Sequence, residues 1–168
     1  RDLPPYLSVA LGAGELTLLE ITSAFSAFPN NGVRAEPFFI KRVEDHNGVT
    51  LEEHRHRVEE VVSPETAAKM VFMLKSVVQR GTAATAISVS GAEFKRPMGG
   101  KTGTTNDFTD SWYVGFVPQL TAGVWAGRDE KKPLGNRVFG ATLALPIWIE
   151  FMRGVFKGLP EEDFEMAY

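Results

Sequence analysis

Apolar side chains recur along this chain with two periods, and the switch between them marks its elements. Leu18, Ile21, Phe25 and Phe28 share one face at helical spacing. The helix they predict opens on Thr17-Leu18-Leu19-Glu20, a capping box with Thr17 as N-cap, and stops at Asn30-Asn31-Gly32. From Phe38 to Arg57 the pattern turns to strand, with Asn47-Gly48 as a hairpin turn between Ile40-Lys41-Arg42-Val43 and Val49-Thr50-Leu51. Ser63-Pro64-Glu65 then starts a second helix, with an N-cap serine, a proline at its first position and an acid in its first turn. Met70, Val71, Leu74, Val77 and Val78 form its buried stripe, Met73 joins Met70 as core filler, and Arg80-Gly81 closes it. Trp112 to Val117 and Thr121 to Ala126 read as strands joined by a reversal at Pro118-Gln119-Leu120. Both faces of the first are apolar or small, so both should be covered. A last helix, Thr142 to Phe156, takes Pro146 in its first turn and buries Leu145, Trp148, Ile149, Met152, Val155 and Phe156. Trp112, Trp125 and Trp148 read as core anchors rather than base-stacking platforms.

Composition narrows the classes. A chain of 168 residues is long enough for one domain with a real core. The net charge is -3 and no basic block points to nucleic acid. With no cysteine there is neither disulfide nor thiolate chemistry, and no apolar run approaches the ~20 residues of a membrane span. No signal peptide is present, and the start at Arg1-Asp2-Leu3, without an initiator methionine, is expected for a piece of a longer protein. Pro4-Pro5 predicts an extended beginning and Gly12-Ala13-Gly14 a turn. Residues 1–157 read as part of one domain and 158–168 as an acidic tail, Glu161-Glu162-Asp163-Phe164-Glu165, expected to fray.

Three candidate chemistries fail on spacing. His54-x-His56 could offer two imidazoles on one strand face, but no cysteine or well-placed third ligand accompanies them, and a solvated charged hairpin is the simpler reading; no metal is expected. Gly12-x-Gly14 lacks the third glycine of a dinucleotide fingerprint, because Thr17 stands there. Gly100-Lys101-Thr102 lacks the earlier glycine of a phosphate loop, because Lys95 stands there, and no helix follows. What remains is the run Gly99-Gly100-Lys101-Thr102-Gly103-Thr104-Thr105-Asn106-Asp107. Its glycines would let a peptide lie against the strand and add backbone hydrogen bonds. Lys101 offers a flexible point charge, and the hydroxyls of Thr102 and Thr104 are short donors suited to a carboxylate.

Lys101-Thr102-Gly103-Thr104-Thr105, followed by Asp110-Ser111-Trp112-Tyr113-Val114-Gly115-Phe116, Pro118 and Ala122-Gly123-Val124-Trp125, resembles the substrate-binding strand and next two strands of the class A penicillin-binding proteins. Leu11 to Thr17 and Gly81 to Ser90 resemble other segments of the family, the second leading toward the substrate strand. The resemblance implies an α+β fold: an antiparallel sheet flanked by helices, the C-terminal part of a β-lactamase/transpeptidase-like domain. It implies a serine DD-transpeptidase that cross-links peptidoglycan stem peptides through an acyl-enzyme and is acylated by β-lactam antibiotics, at the periplasmic or extracytoplasmic face of a bacterial inner membrane. No cofactor is implied, and the membrane would be reached only through an N-terminal anchor absent from this chain. Lys101 would orient protons and charge, Thr102 and Thr104 would bind the carboxylate, Gly103 would belong to the same binding strand, and the Thr104 N–H would be one oxyanion donor. Two family motifs are missing: no serine here has lysine three residues on, and none has asparagine two residues on. This chain alone is therefore expected to be inactive and to need the N-terminal half of the same domain. A carboxypeptidase or β-lactamase relative, and a non-catalytic penicillin-binding or sensor module, stay open beside the transpeptidase.

Overall fold

A computed structural model describes residues 5–12, 14–89, 94–105, 107–135 and 138–165. The expectations placed on Arg1 to Pro4, Ala13, Ser90 and Asn106 lie outside them. After a short 3₁₀ turn, Leu7–Leu11, which the pattern did not predict, the chain forms α1 (Leu18–Ser26). Four short strands follow, β1 (Val33–Ala35), β2 (Arg42–Glu44), β3 (Thr50–Glu53) and β4 (Val58–Glu60). Next come α2 (Pro64–Arg80) and α3 (Ala84–Val89). The strands β5 (Gly99–Thr104), β6 (Asp110–Val117) and β7 (Leu120–Gly127) precede α4 (Ala144–Val155).

The caps are those the sequence signals. Thr17 accepts from the Glu20 amide while the Glu20 carboxylate takes the Thr17 N–H, closing the box. Ser63 accepts from the Thr66 amide with Pro64 behind it. α1 is shorter than the apolar spacing suggested. It stops at Ser26, and the turn beyond it ends with the Gly32 N–H on the Ala27 carbonyl, Asn31 and Gly32 both at positive φ. The Asn47-Gly48 hairpin forms as β2–β3, both strands exposed, with the Asp45 carboxylate accepting from the Asn47 and Val49 amides. Its outer neighbour, the β1–β4 pair, was not anticipated.

The central sheet is antiparallel, ordered β5-β6-β7. Between the helices, β6 is buried on both faces. On one face Tyr113 and Val117 meet Leu145, Trp148, Ile149 and Met152 of α4. On the other, Phe116 packs with Val71 and Leu74 of α2 and with Phe25 and Phe28. α1 comes so close to β7 that a Cβ on Gly123 would lie 2.2 Å from the Thr22 hydroxyl and 2.9 Å from Leu18. Three packing expectations need correction. Met73 is half exposed, because it sits on α2 beside Phe72 on the side turned from the sheet. Trp125 is 42% exposed; its indole N–H donates to Asp110 at the sheet's rim instead of entering the core. Val155 is likewise partly exposed. Parts of the chain beyond α4 are tied back to the body. Arg96 donates to the carbonyls of Phe156, Leu159 and Pro160, and the Phe164 ring meets Phe116 edge to face at 5.7 Å.

Candidate binding edge

β5 occupies one margin of the sheet, with β6 its only strand neighbour among the described residues. Hydrogen bonding in an antiparallel pair alternates, so the register decides which backbone groups face outward. The Thr105 N–H donates to the Asp110 carbonyl, one step beyond the pairing of Thr104 with Ser111. By alternation Gly99, Lys101 and Gly103 bond toward β6, while the amides and carbonyls of Gly100, Thr102 and Thr104 point to the open edge. Side chains alternate as well. Thr102 and Thr104 lie on the face that carries Tyr113 and α4; Lys101 leaves from the opposite face. The Lys101 ammonium curls around the margin to donate to the outward Thr102 carbonyl at 2.7 Å. One cation, two hydroxyls and the Thr104 N–H thus converge on one strand edge. That donor-rich edge suits an extended peptide that ends in a carboxylate.

The glycines clear the ground. A Cβ on Gly100 would lie 2.4 Å from the Tyr113 hydroxyl, whose ring lies across the sheet there. A Cβ on Gly103 would sit 3.1 Å from that of Trp112. Tyr113 is fully buried, and burial raises its phenol far above the usual value.

Residues beyond the sequence motif support it. The Thr82 hydroxyl, just before α3, lies 3.2 Å from that of Thr102, giving the small-residue stretch after Gly81 a contact no local pattern announced. The Gly140 N–H donates to the Thr104 hydroxyl at 2.9 Å. Ser111, wholly buried opposite Thr104, donates to the Phe139 carbonyl at 3.2 Å and accepts from the Ala144 amide at 3.3 Å. It thereby serves the first turn of α4, whose own N-cap position, Leu143, has no capping side chain. The only signal in the sequence was a polar residue inside an apolar strand.

The loop leaving β5 is fixed by one hydroxyl. The Thr105 oxygen accepts from the amides of Thr109 and Asp110, both at 3.0 Å. Phe108 is held there at a φ of 54° and meets Phe139 edge to face at 5.3 Å. Asp110 accepts from the Thr109 hydroxyl at 2.7 Å and the Trp125 indole at 2.9 Å, and these bonds hold its carboxyl below the usual range against a smaller opposing effect of burial. A hollow of about 470 Å³ beside this loop is lined by Asp107, Phe108, Thr109, Lys131 and Pro133, not by the β5 residues. His54 and His56 lie far along the chain and pack on Phe38, the first stacked at 4.1 Å and the second edge-on at 5.0 Å. Among the described residues no group of three or more metal-ligating side chains forms.

Comparison with known proteins places the chain as a whole in a family. Residues 5–129 match the family described as penicillin binding protein transpeptidase domain. Penicillin-binding protein 1A of Aquifex aeolicus is 48% identical over 166 residues, covering 98% of this chain and 22% of that protein. The Neisseria lactamica protein of the same name is 36% identical, over 98% of this chain and 21% of its own length. The chain therefore spans about a fifth of the curated relatives it matches. The crystal structure of penicillin-binding protein 1A from Haemophilus influenzae superposes with a TM-score of 0.87 at 26% identity, over 98% of this chain and 30% of that one. The PonA1 protein of Mycobacterium tuberculosis, solved in complex with penicillin V, gives 0.81 at 25% identity, over 96% of this chain and 44% of its own. An antiparallel sheet flanked by helices, a Lys-Thr-Gly-Thr edge strand and a match across most of the sequence agree: the chain belongs to the penicillin-binding protein transpeptidase domain family, as a C-terminal part of that domain.

Proposed function

We propose that this chain is the substrate-clamping part of a peptidoglycan DD-transpeptidase whose nucleophilic serine and its lysine lie in an upstream part of the domain. The convergence of Lys101, Thr102 and Thr104 on the open margin of β5 is the observation that carries this reading. A stem peptide ending in D-Ala-D-Ala would pair with the outward backbone groups of Thr102 and Thr104. Its carboxylate would take the two hydroxyls and the charge of Lys101. The serine would attack the carbonyl between the two D-alanines. The oxyanion that forms would lie against the Thr104 N–H, the terminal D-alanine would leave, and an amine of a second stem peptide would attack the ester to make the cross-link. β-Lactams would acylate the same serine, since they place a carboxylate and a strained amide in similar relation; the likeness to a relative solved with penicillin V supports this. The exposed side of β7, with no partner among the described residues, would be where strands from the missing half extend the sheet. Such a protein works on the extracytoplasmic side of a bacterial membrane. No helix of this chain's described residues is long and apolar enough to cross one.

The test is acylation. Alone, this chain should gain no mass from a labelled penicillin. Fused behind the upstream part of the Aquifex aeolicus relative, it should be acylated one to one. The Lys101→Ala fusion should react about 100-fold more slowly, the scale set by losing one group that steadies developing charge. Stoichiometric labelling of the chain alone, or an unchanged rate in the Lys101→Ala fusion, would sink the assignment.

A further inference from the structure

Thr104 is held from outside its own strand. We infer that Ser111 and the Gly140 amide are positioning groups: they fix which way the Thr104 hydroxyl points and make it a standing donor to the carboxylate end of a bound peptide. The inference deepens the proposed function and rests on it.

A hydroxyl has one proton and two lone pairs. A carboxylate only accepts, so Thr104 contributes to holding one only if its proton faces the ligand. The Gly140 N–H donates to the Thr104 oxygen at 2.9 Å. With that side of the oxygen filled, the proton is turned away from Gly140, and the donated bond polarises the O–H and strengthens it as a donor. Gly140 can sit there only as glycine. A Cβ would fall 2.4 Å from the Trp112 carbonyl oxygen and 2.7 Å from that of Gly103, so its backbone rests directly on the β5–β6 ladder.

The height of this loop is set by Phe139. Its carbonyl accepts from the Ser111 hydroxyl at 3.2 Å, from the Thr142 hydroxyl at 3.2 Å and from the amides of Thr142 and Leu143 at 3.0 and 3.1 Å. Only Ser111 among these donors belongs to the sheet, and it stands directly across from Thr104. It ties the loop to the ladder that carries the ligand-facing threonine, and through the Ala144 amide it ties α4 to the same point. Removing the Ser111 hydroxyl frees the loop to rise, and the Gly140 N–H moves off Thr104.

The test uses this chain, ¹⁵N-labelled, titrated with N-acetyl-D-alanyl-D-alanine and with its C-terminal amide. The wild type should prefer the acid about tenfold, as charge-assisted hydrogen bonds imply. Thr104→Val should lower the preference to below twofold, the remainder being what Lys101 and Thr102 still supply. Ser111→Ala should reduce it to about twofold, the acid losing more affinity than the amide, which a loss of general stability would not do. Without ligand, the Gly140 amide should exchange with solvent faster in both variants. If Ser111→Ala does not fold, Ser111→Cys, which puts a weak thiol donor in place of the hydroxyl opposite Phe139, carries the same expectation. A wild type that binds acid and amide equally overturns the reading of Thr104 and this inference with it. A wild type that discriminates, beside a Ser111→Ala chain that discriminates equally well or an unaltered Gly140 exchange rate, overturns this inference alone.

Discussion

Asp110 shows how a single residue ties the candidate site to acid stability. Its carboxylate takes hydrogen bonds from Thr109 and Trp125, and these favour the charged form in the folded chain. Its folded pKa therefore lies below the ordinary 3.8. The stability it contributes is complete above that ordinary value and is lost as pH falls through the folded one. Melting temperatures of wild type and Asp110→Asn, followed from about pH 5 to about pH 2.5, should converge at the acid end. Parallel curves would refute the assignment. At this scale the local half of the site was legible. Lys101, Thr102, Gly103 and Thr104 stand together in the sequence; alternation puts the two threonines on one face, and the long Lys101 side chain reaches round the strand margin to join them. Thr82 and Gly140 were not legible, because they reach Thr102 and Thr104 across 20 and 36 positions that only the fold closes. Ser111 was adjacent in the text, but its partners were not.

Elements with strong local signals formed where those signals put them. The capping box at Thr17, the Ser-Pro start of α2 and the Asn-Gly turn each satisfy their own backbone groups, so neighbours need not be known. The 3₁₀ turn, the β1–β4 pair and α3 are short, and tertiary pairing decides them. Met73 and Trp125 are more exposed than their spacing implies for a related reason. Spacing tells which residues share a face, and only the neighbouring elements tell how far cover extends over it. The seat of α1 on β7 is a sharper case, since one missing side chain permits it. Gly123→Val should force Thr22 and Leu18 apart and lower stability by about 1–3 kcal/mol in urea unfolding, as overpacking does. Ala126→Val, on the same strand, should lower it less. Equal losses would mean that the close approach is not what holds α1.

Across the whole molecule the sheet is lopsided. β6 is paired on both sides and sealed between layers, whereas β5 and β7 each show a margin with no strand partner among the described residues. One margin carries the candidate chemistry, and the other is the expected junction with the rest of the domain. Hydrogen exchange should separate the three strands: slow throughout β6, and fast at every second amide of β7. In the fusion to the upstream part of the Aquifex aeolicus relative, those β7 amides should slow. Continued fast exchange in a fusion that reacts with penicillin would place the junction elsewhere. The β2–β3 hairpin stands apart from all of this. Its strands are exposed throughout, Gly48 at its tip has open space around it, and the segments on either side are carried separately to α1 and to α2. A break in the backbone between Asn47 and Gly48 would therefore cost the interior nothing. It would yield two peptides, one bearing α1 and the other the sheet that receives it, and their reunion could be used to report whatever brings the two together.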